Sequence, residues 1–170
     1  MKILVVSDSH GMDRNLEDLL EEEKDIDLLI HLGDLEGSED YIEAVAPCEC
    51  EMISGNNDFY SDLPCEKVIE LNGRRLFLTH GHSYGLYHGL DRLIAEARYR
   101  EAEIVLFGHT HVPVYEKTDG ITVINPGSIS LPRQSDRTPT FGILKIPEVG
   151  RVEFEICKKI KKSVDNIFEV

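Results

Sequence analysis

The sequence predicts an α/β fold built on mixed sheet, and three observations carry that reading. Short apolar runs at Ile3 to Val6, Leu28 to Ile30, Met52 to Ile53, Leu76 to Leu78 and Ile104 to Phe107 have the length of buried strands. The early runs alternate with stretches of helical periodicity, the βαβ rhythm that lays strands in parallel. From Glu66 onward, Asn72-Gly73, Asp119-Gly120 and Val149-Gly150 are hairpin signals, so antiparallel strands must join the parallel ones.

Taken in order, the first strand runs from Ile3 into Ser7-Asp8, and Gly11-Met12-Asp13 turns the chain and offers a helix N-cap. Leu16, Leu19 and Leu20 then recur at helical spacing ahead of the acidic run Glu21-Glu22-Glu23, which reads as a solvated helix face. The second strand leads to Gly33-Asp34. A short helix from Ser38 to Val45 stops before Pro47, and the next strand occupies Cys50 to Ile53. Two strands between Glu66 and Thr79 fold about Asn72-Gly73. Leu86, Leu90, Leu93, Ile94 and Ala97 share one helical face, predicting a longer amphipathic helix that delivers the chain to the strand at Ile104. Asp119-Gly120 returns Val112 to Lys117 onto Ile121 to Ile124, and Val149-Gly150 returns Phe141 to Ile146 onto Arg151 to Ile156. Lys158 to Val170 is polar and is expected to form a surface helix or a loose tail.

With 170 residues, 41% of them hydrophobic, and no shift of composition along its length, the chain is expected to form one domain over residues 1–170. Lys and Arg number 18 against 32 Asp and Glu, a net charge of −14 that disfavours nucleic acid and anionic membrane as partners. Small phosphate esters are not excluded, because two divalent cations at one point would reverse the local field. No run approaches the roughly 18 to 20 apolar residues of a membrane span, and the opening run is too short for a signal peptide. Cys48, Cys50, Cys65 and Cys157 lack dense or paired spacing, which points to reduced thiols in a cytoplasmic protein. A thiolate zinc site at Cys48-Glu49-Cys50 has no matching second pair.

Asp8, His10, Asp34, Asn56, His80, His109 and His111 each fall just past a predicted strand. In open α/β sheets, ligands gather outside the carboxyl ends of the strands, so these side chains are expected to meet. Singly each is ordinary: an Asp turns or caps, and a His lies on the surface or in a hydrogen-bonded core. Jointly they read as the ligand set of a two-metal hydrolytic site. Oxygen and nitrogen donors without sulfur suit Mn²⁺, Fe²⁺, Co²⁺, Ni²⁺ or Zn²⁺ better than Ca²⁺.

Asp8-Ser9-His10, Gly33-Asp34, Gly55-Asn56, His80 and Gly108-His109-Thr110-His111 stand in the order of a known pattern, and through them the chain resembles the calcineurin-like metallophosphoesterase superfamily. Ser7 to Gly11, His31-Leu32-Gly33-Asp34 and Asn125-Pro126-Gly127-Ser128 make it similar to the small bacterial and archaeal phosphodiesterase branch. The resemblance spans roughly residues 1 to 147. It implies a four-layer α/β/β/α sandwich of two mixed β-sheets flanked by helices. It implies one metal on Asp8, His10, Asp34 and His111, and a second on Asp34, Asn56, His80 and His109, with Asp34 as the bridge. Mn²⁺ is the first choice for both. The reaction implied is hydrolysis of small phosphoesters, foremost diesters, by a hydroxide shared between cations about 3.5 to 4 Å apart and attacking phosphorus in line.

One departure from the family lies at Asn57, where many members carry His. An amide donates a hydrogen bond to phosphate but cannot serve as a general acid near neutral pH, so good leaving groups should be favoured. His82 is the candidate to replace that acid. His31 is expected to be structural, and His88 to sit on the exposed side of a helix. Asn125 to Ser128 reads as a tight turn that only the resemblance places beside the site. Arg133 and Arg137 are either phosphate contacts or solvated loop charges. A homodimer is the default assembly. The rival reading is a non-catalytic scaffold like the retromer subunit of endosomal sorting, which resembles the family but has a degraded metal site. The ligand set here is intact.

Overall fold

In the computed structural model, which describes residues 1–159, strands β1 (Lys2–Val6), β2 (Leu28–His31) and β3 (Glu49–Met52) pair in parallel, with Ile3 opposite Leu28 and Leu28 opposite Glu49. Helices α1 (Arg14–Glu22) and α2 (Glu39–Val45) make the crossovers. Strands β4 (Glu66–Leu71) and β5 (Arg74–Thr79) form the hairpin about Asn72-Gly73, and helix α3 (Asp91–Tyr99) leads to β6 (Ile104–Leu106). Strands β7 (Val114–Thr118) and β8 (Ile121–Asn125) turn at Asp119-Gly120, and β9 (Thr140–Lys145) with β10 (Glu153–Lys158) closes the described chain.

These strands sort into two five-stranded mixed sheets, ordered β10-β9-β1-β2-β3 and β4-β5-β6-β8-β7. Both faces of each sheet are covered, as runs apolar at both parities require. Ile3, Val5, Ile30, Leu76, Leu78, Ile104 and Leu106 face one common cluster between the sheets. Leu4, Val6 and Leu29 face the other way onto Leu16, Leu19 and Ile42 of α1 and α2. Phe77, Val105 and Val123 face out onto Leu93, Ile94 and Ala97 of α3. Three apolar clusters separate four layers, the expected α/β/β/α sandwich.

Four details differ from the sequence reading. The helix expected from Leu86 starts only at Asp91, because Gly89 takes a φ of 126° that no L-residue holds comfortably; Leu86–His88 becomes a separate 3₁₀ turn. His88 is therefore exposed on that turn rather than on a helix. Asp13 stands at the N-cap of α1 without capping it through its side chain, which instead accepts a hydrogen bond from Ser38 Oγ at 2.5 Å. Lys158 belongs to β10 rather than to a tail, and the buried Lys159 pairs with Glu22 at 2.8 Å. The remainder of the expected tail lies outside the described residues.

Candidate metal centre

The strand ends turn sharply into their loops. Asp8, His10, Asp34, His109 and His111 all hold left-handed backbone, with φ between 52° and 66°. Non-glycine residues rarely sit there, and each costs roughly 1–3 kcal/mol that surrounding contacts must hold in place. Those contacts cross between loops. Asp8 N–H donates to Gly33 O at 3.1 Å, His10 N–H to Asp34 O at 2.9 Å, and Gly108 N–H to His80 O at 3.2 Å. His109 N–H reaches across from the second sheet to Asp8 Oδ2 at 3.2 Å. Gly33 is required by close approach, since a Cβ there would lie 2.7 Å from Gly55 N and 2.8 Å from His80 Nδ1.

Tautomers are set by neighbours that can only accept. His80 Nδ1 lies 2.7 Å from Leu32 O, His111 Nδ1 lies 2.6 Å from Leu131 O, and His10 Nδ1 lies 2.7 Å from Glu36 Oε1. A carbonyl or carboxylate oxygen has no proton to give, so in the neutral ring each Nδ1 carries the hydrogen and each Nε2 keeps its lone pair. Those lone pairs converge. His10 Nε2 is 3.3 Å from His111 Nε2 and 3.6 Å from Asp34 Oδ2, while His111 Nε2 is 3.2 Å from Asp8 Oδ1. His80 Nε2 is 3.4 Å from Asp34 Oδ2 and 3.9 Å from Asp8 Oδ1.

Asp8 Oδ1 and His80 Nε2 are buried without a hydrogen-bond partner. Two neutral imidazole lone pairs at 3.3 Å cannot satisfy each other. Leaving polar atoms buried and unpaired costs on the order of 1–3 kcal/mol each, and a cation among them would remove that cost. Asp8, His10, Asp34 and His111 offer donor atoms all within 4.8 Å of one another, one of the two sets expected from the sequence. The geometry and donor chemistry therefore fit a divalent transition metal.

The second expected set is gathered in part. The His80 and His109 rings lie 5.2 Å apart at 70°, with Asp34 beside His80. Asn56 is exposed on the Gly55–Asp58 turn and makes no hydrogen bond to the cluster. Its neighbour faces inward instead: Asn57 donates to Asp34 from its backbone N at 2.9 Å and from Nδ2 at 2.8 Å. His82 stands at the mouth, its ring 5.7 Å from His80 and 6.2 Å from His109.

Burial and charge compete over protonation. Burial alone would raise the pKa of Asp34, but His80 and the Asn57 donors outweigh it and hold the carboxyl well below its usual range. Burial would likewise push His80 down, and the Asp34 and Asp8 carboxylates turn the balance upward. His82 and His109 are lowered, first by burial and then by neighbouring His80. His31 is fully buried and drops to about 4, with Nδ1 accepting from Gly33 N–H and Nε2 facing Ser9 Oγ. It supports the loop rather than the cluster.

Two supports, Asp58 and Glu36, escaped the sequence reading, and a third, the Asn125–Ser128 turn, was set beside the site only by the resemblance. Asp58 accepts from Asp34 N–H at 2.8 Å, Gly55 N–H at 2.7 Å and Glu36 N–H at 2.7 Å, tying the second and third strand exits together. Glu36 orients His10. Ser128 Oγ donates to Asp8 O at 2.8 Å, and Asn125 Nδ2 donates to Gly108 O at 2.8 Å, so the Asn125–Ser128 turn braces both sheets' site loops. A carboxylate directly after Gly-Asn-Asn was the available signal for Asp58. Arg133 bonds His111 O only through its backbone, its guanidinium lying 3.5 Å from Tyr87 OH, and Arg137 is an exposed loop residue.

Fold and donor set point to a metal-dependent protein whose carboxylates and imidazoles gather at the strand ends. Residues 1–148 match the calcineurin-like phosphoesterase superfamily domain, and the chain belongs to that superfamily. It is 36% identical over 149 residues to a "Probable metallophosphoesterase" of Bacillus subtilis, covering 86% of this chain and 85% of that one. A phosphodiesterase of Methanocaldococcus jannaschii is 30% identical over 85% of this chain and 92% of its own. Among solved structures, a predicted phosphoesterase of Streptococcus pneumoniae superposes with a TM-score of 0.81 at 30% identity, covering 93% of this chain and 89% of that one. Vps29 of Entamoeba histolytica, solved with zinc, shares the fold with a TM-score of 0.74 at 24% identity over 94% of this chain and all (100%) of that one. The chain is thus a metal-dependent phosphoesterase by family.

Proposed function

We propose that the protein is a phosphodiesterase using two divalent transition-metal ions, with Mn²⁺ the first choice, acting on small phosphoesters. The observation that carries this reading is Asp34 Oδ2 lying 3.6 Å from His10 Nε2 and 3.4 Å from His80 Nε2, with Asp8 Oδ1 and His80 Nε2 buried and unpaired around it. That position supports reading Asp34 as a shared ligand. Asp8, His10, Asp34 and His111 would hold one ion, and Asp34, His80, His109 and Asn56 the other, Asn56 turning inward from its exposed position. When bound, such ions supply a water activated near neutral pH and positive charge for the phosphoryl oxygens.

The chain's own groups do the positioning. Asn57 spends one amide N–H and its backbone N–H on Asp34, fixing that carboxylate between the two halves, and its second amide N–H is available to a phosphate oxygen. It cannot protonate a leaving alkoxide. His82, its ring 5.7 Å from His80 and 6.2 Å from His109, is the group that would do so, but burial and neighbouring His80 lower its pKa and leave it less able to hold the proton at pH 7. Hydrolysis should therefore fall steeply as the leaving group's pKa rises, nitrophenyl diesters far outrunning alkyl diesters. A flat rate across a leaving-group series would contradict this.

Metal-stripped protein supplied in turn with Mn²⁺, Ni²⁺, Co²⁺ and Zn²⁺ should hydrolyse bis(p-nitrophenyl) phosphate, and Asp8→Asn or His109→Ala should each lower the rate at least a hundredfold. Activity that survives both substitutions places the chemistry elsewhere. Monoesters run in parallel decide between diester and monoester hydrolysis. No turnover with any metal, together with a stable protein partner, would favour the scaffold reading. The four free cysteines suit a cytoplasmic protein, and sedimentation would decide between monomer and homodimer.

A further inference from the structure

A cavity of about 400 Å³ opens beside the metal centre, lined by Glu36, Glu39, Asn57, Asp58, Phe59 and Tyr60 among others. It adjoins the cluster through bonds already described: Glu36 holds His10, Asn57 holds Asp34, and Asp58 holds the Asp34 backbone. Among the described residues every formal charge on its wall is negative, and no Lys, Arg or His lines it. A phosphate would be repelled there, so the part of a substrate that enters is the part that carries no phosphate. Asp58 is occupied by three backbone N–H groups, whereas among the described residues the Glu39 side chain has no hydrogen-bond or ion-pair partner. Phe59 and Tyr60 stand 80% and 101% exposed and pack on none of the three cores. Exposed aromatic rings beside the unpaired Glu39 carboxylate, on a wall of net negative charge, suit an alkylammonium group through cation–π attraction and charge, and the volume is in the range of small-ligand sites.

We propose that this cavity receives the alcohol arm of the phosphodiester and selects an arm that bears an alkylammonium group, as in an ester of choline or ethanolamine. The assignment rests on the phosphodiesterase reading for its biological meaning, but the cavity can be tested without turnover. In NMR titrations of the full chain, choline should shift the amide signals of Gly37, Phe59, Tyr60 and Ser61 and bind about tenfold tighter than its uncharged isostere 3,3-dimethylbutanol. Glu39→Gln and Tyr60→Ala should each weaken choline severalfold, with the remaining spectrum intact as the check on folding. Equal binding of the two alcohols, or shifts confined to other residues, overturns the proposal whatever the enzyme's activity.

A kinetic comparison separates the two readings. p-Nitrophenyl phosphorylcholine and p-nitrophenyl 3,3-dimethylbutyl phosphate share leaving group and reacting phosphorus, so kcat/KM should favour the choline ester about tenfold, and Glu39→Gln should bring the ratio towards one. Hydrolysis of both esters at equal rates upholds the phosphodiesterase and overturns the subsite. Thymidine 5′-p-nitrophenyl phosphate turned over as well as the choline ester also overturns it, in favour of simple stacking on Tyr60. Hydrolysis of neither overturns the phosphodiesterase, and the titration then decides the subsite on its own.

Discussion

Asp58 meets the expected ligand Asp34 only at its backbone, and its carboxylate accepts three backbone N–H groups from two loops. Asn keeps the size but loses one acceptor and brings two donors towards backbone donors. Asp58→Asn should weaken metal binding about 10- to 100-fold, read by metal titration, as supports behind metal ligands commonly do. His31 gives a second test. Because its folded pKa of about 4 lies below the ordinary 6.5, the unfolded chain takes up a proton in this window and the folded one does not. Its contribution is whole above pH 6.5 and drains away as the pH falls towards 4. A shift of that size corresponds to about 3 kcal/mol, so urea unfolding of metal-free protein at pH 7 and 4.5 should show a smaller loss in His31→Gln than in wild type. An identical loss would show that other groups govern acid unfolding. At this level the clustering of Asp8, His10, Asp34 and His111 was readable because these residues follow apolar runs. Asp58 was not, because its bonds go to backbone, and no local rule says which of two adjacent amides, Asn56 or Asn57, turns inward.

The helices and strands were readable wherever hydrophobic period and turn chemistry agree. Leu16, Leu19 and Leu20 gave α1, and Asn72-Gly73 gave the β4–β5 hairpin with both residues at positive φ. They disagreed at Gly89, where backbone freedom ended a pattern that side-chain spacing alone would have continued. Helix α3 closes on a Schellman motif, with Glu101 N–H on Arg98 O at 3.0 Å and Ala102 N–H on Ala97 O at 2.8 Å. Glu101 occupies its left-handed position at φ 57°. Glycine suits that position better, and the exposed ion pair with Arg75 at 3.8 Å contributes little. Glu101→Gly should therefore stabilise the protein by roughly 0.5–1 kcal/mol, visible as a higher urea midpoint with unchanged m-value.

Across the molecule, parallel and antiparallel pairing was legible, but the partition of ten strands into two sheets was not. Strands apolar at both parities announce that both faces are covered without saying by what. The common end at which both sheets open is where carboxylates and imidazoles crowd together, so an ion there should bind folded protein far better than unfolded. Mn²⁺ at a hundred times its Kd should add about 2.7 kcal/mol and raise Tm by several degrees. Asp8→Asn should abolish most of that rise, and a rise that persists would locate the stabilising ion elsewhere.

The left-handed backbone at Asp8, His10, Asp34, His109 and His111 also restricts which replacements the site accepts. If positions 10 and 111 were randomised and selected for folding alone, Gly and Asn should return ahead of bulkier side chains, because they relieve the dihedral strain the ligands impose. Metal chemistry is thus easy to surrender here without surrendering the sandwich, and the same loops then remain as a stiff, pre-shaped surface free to acquire another use.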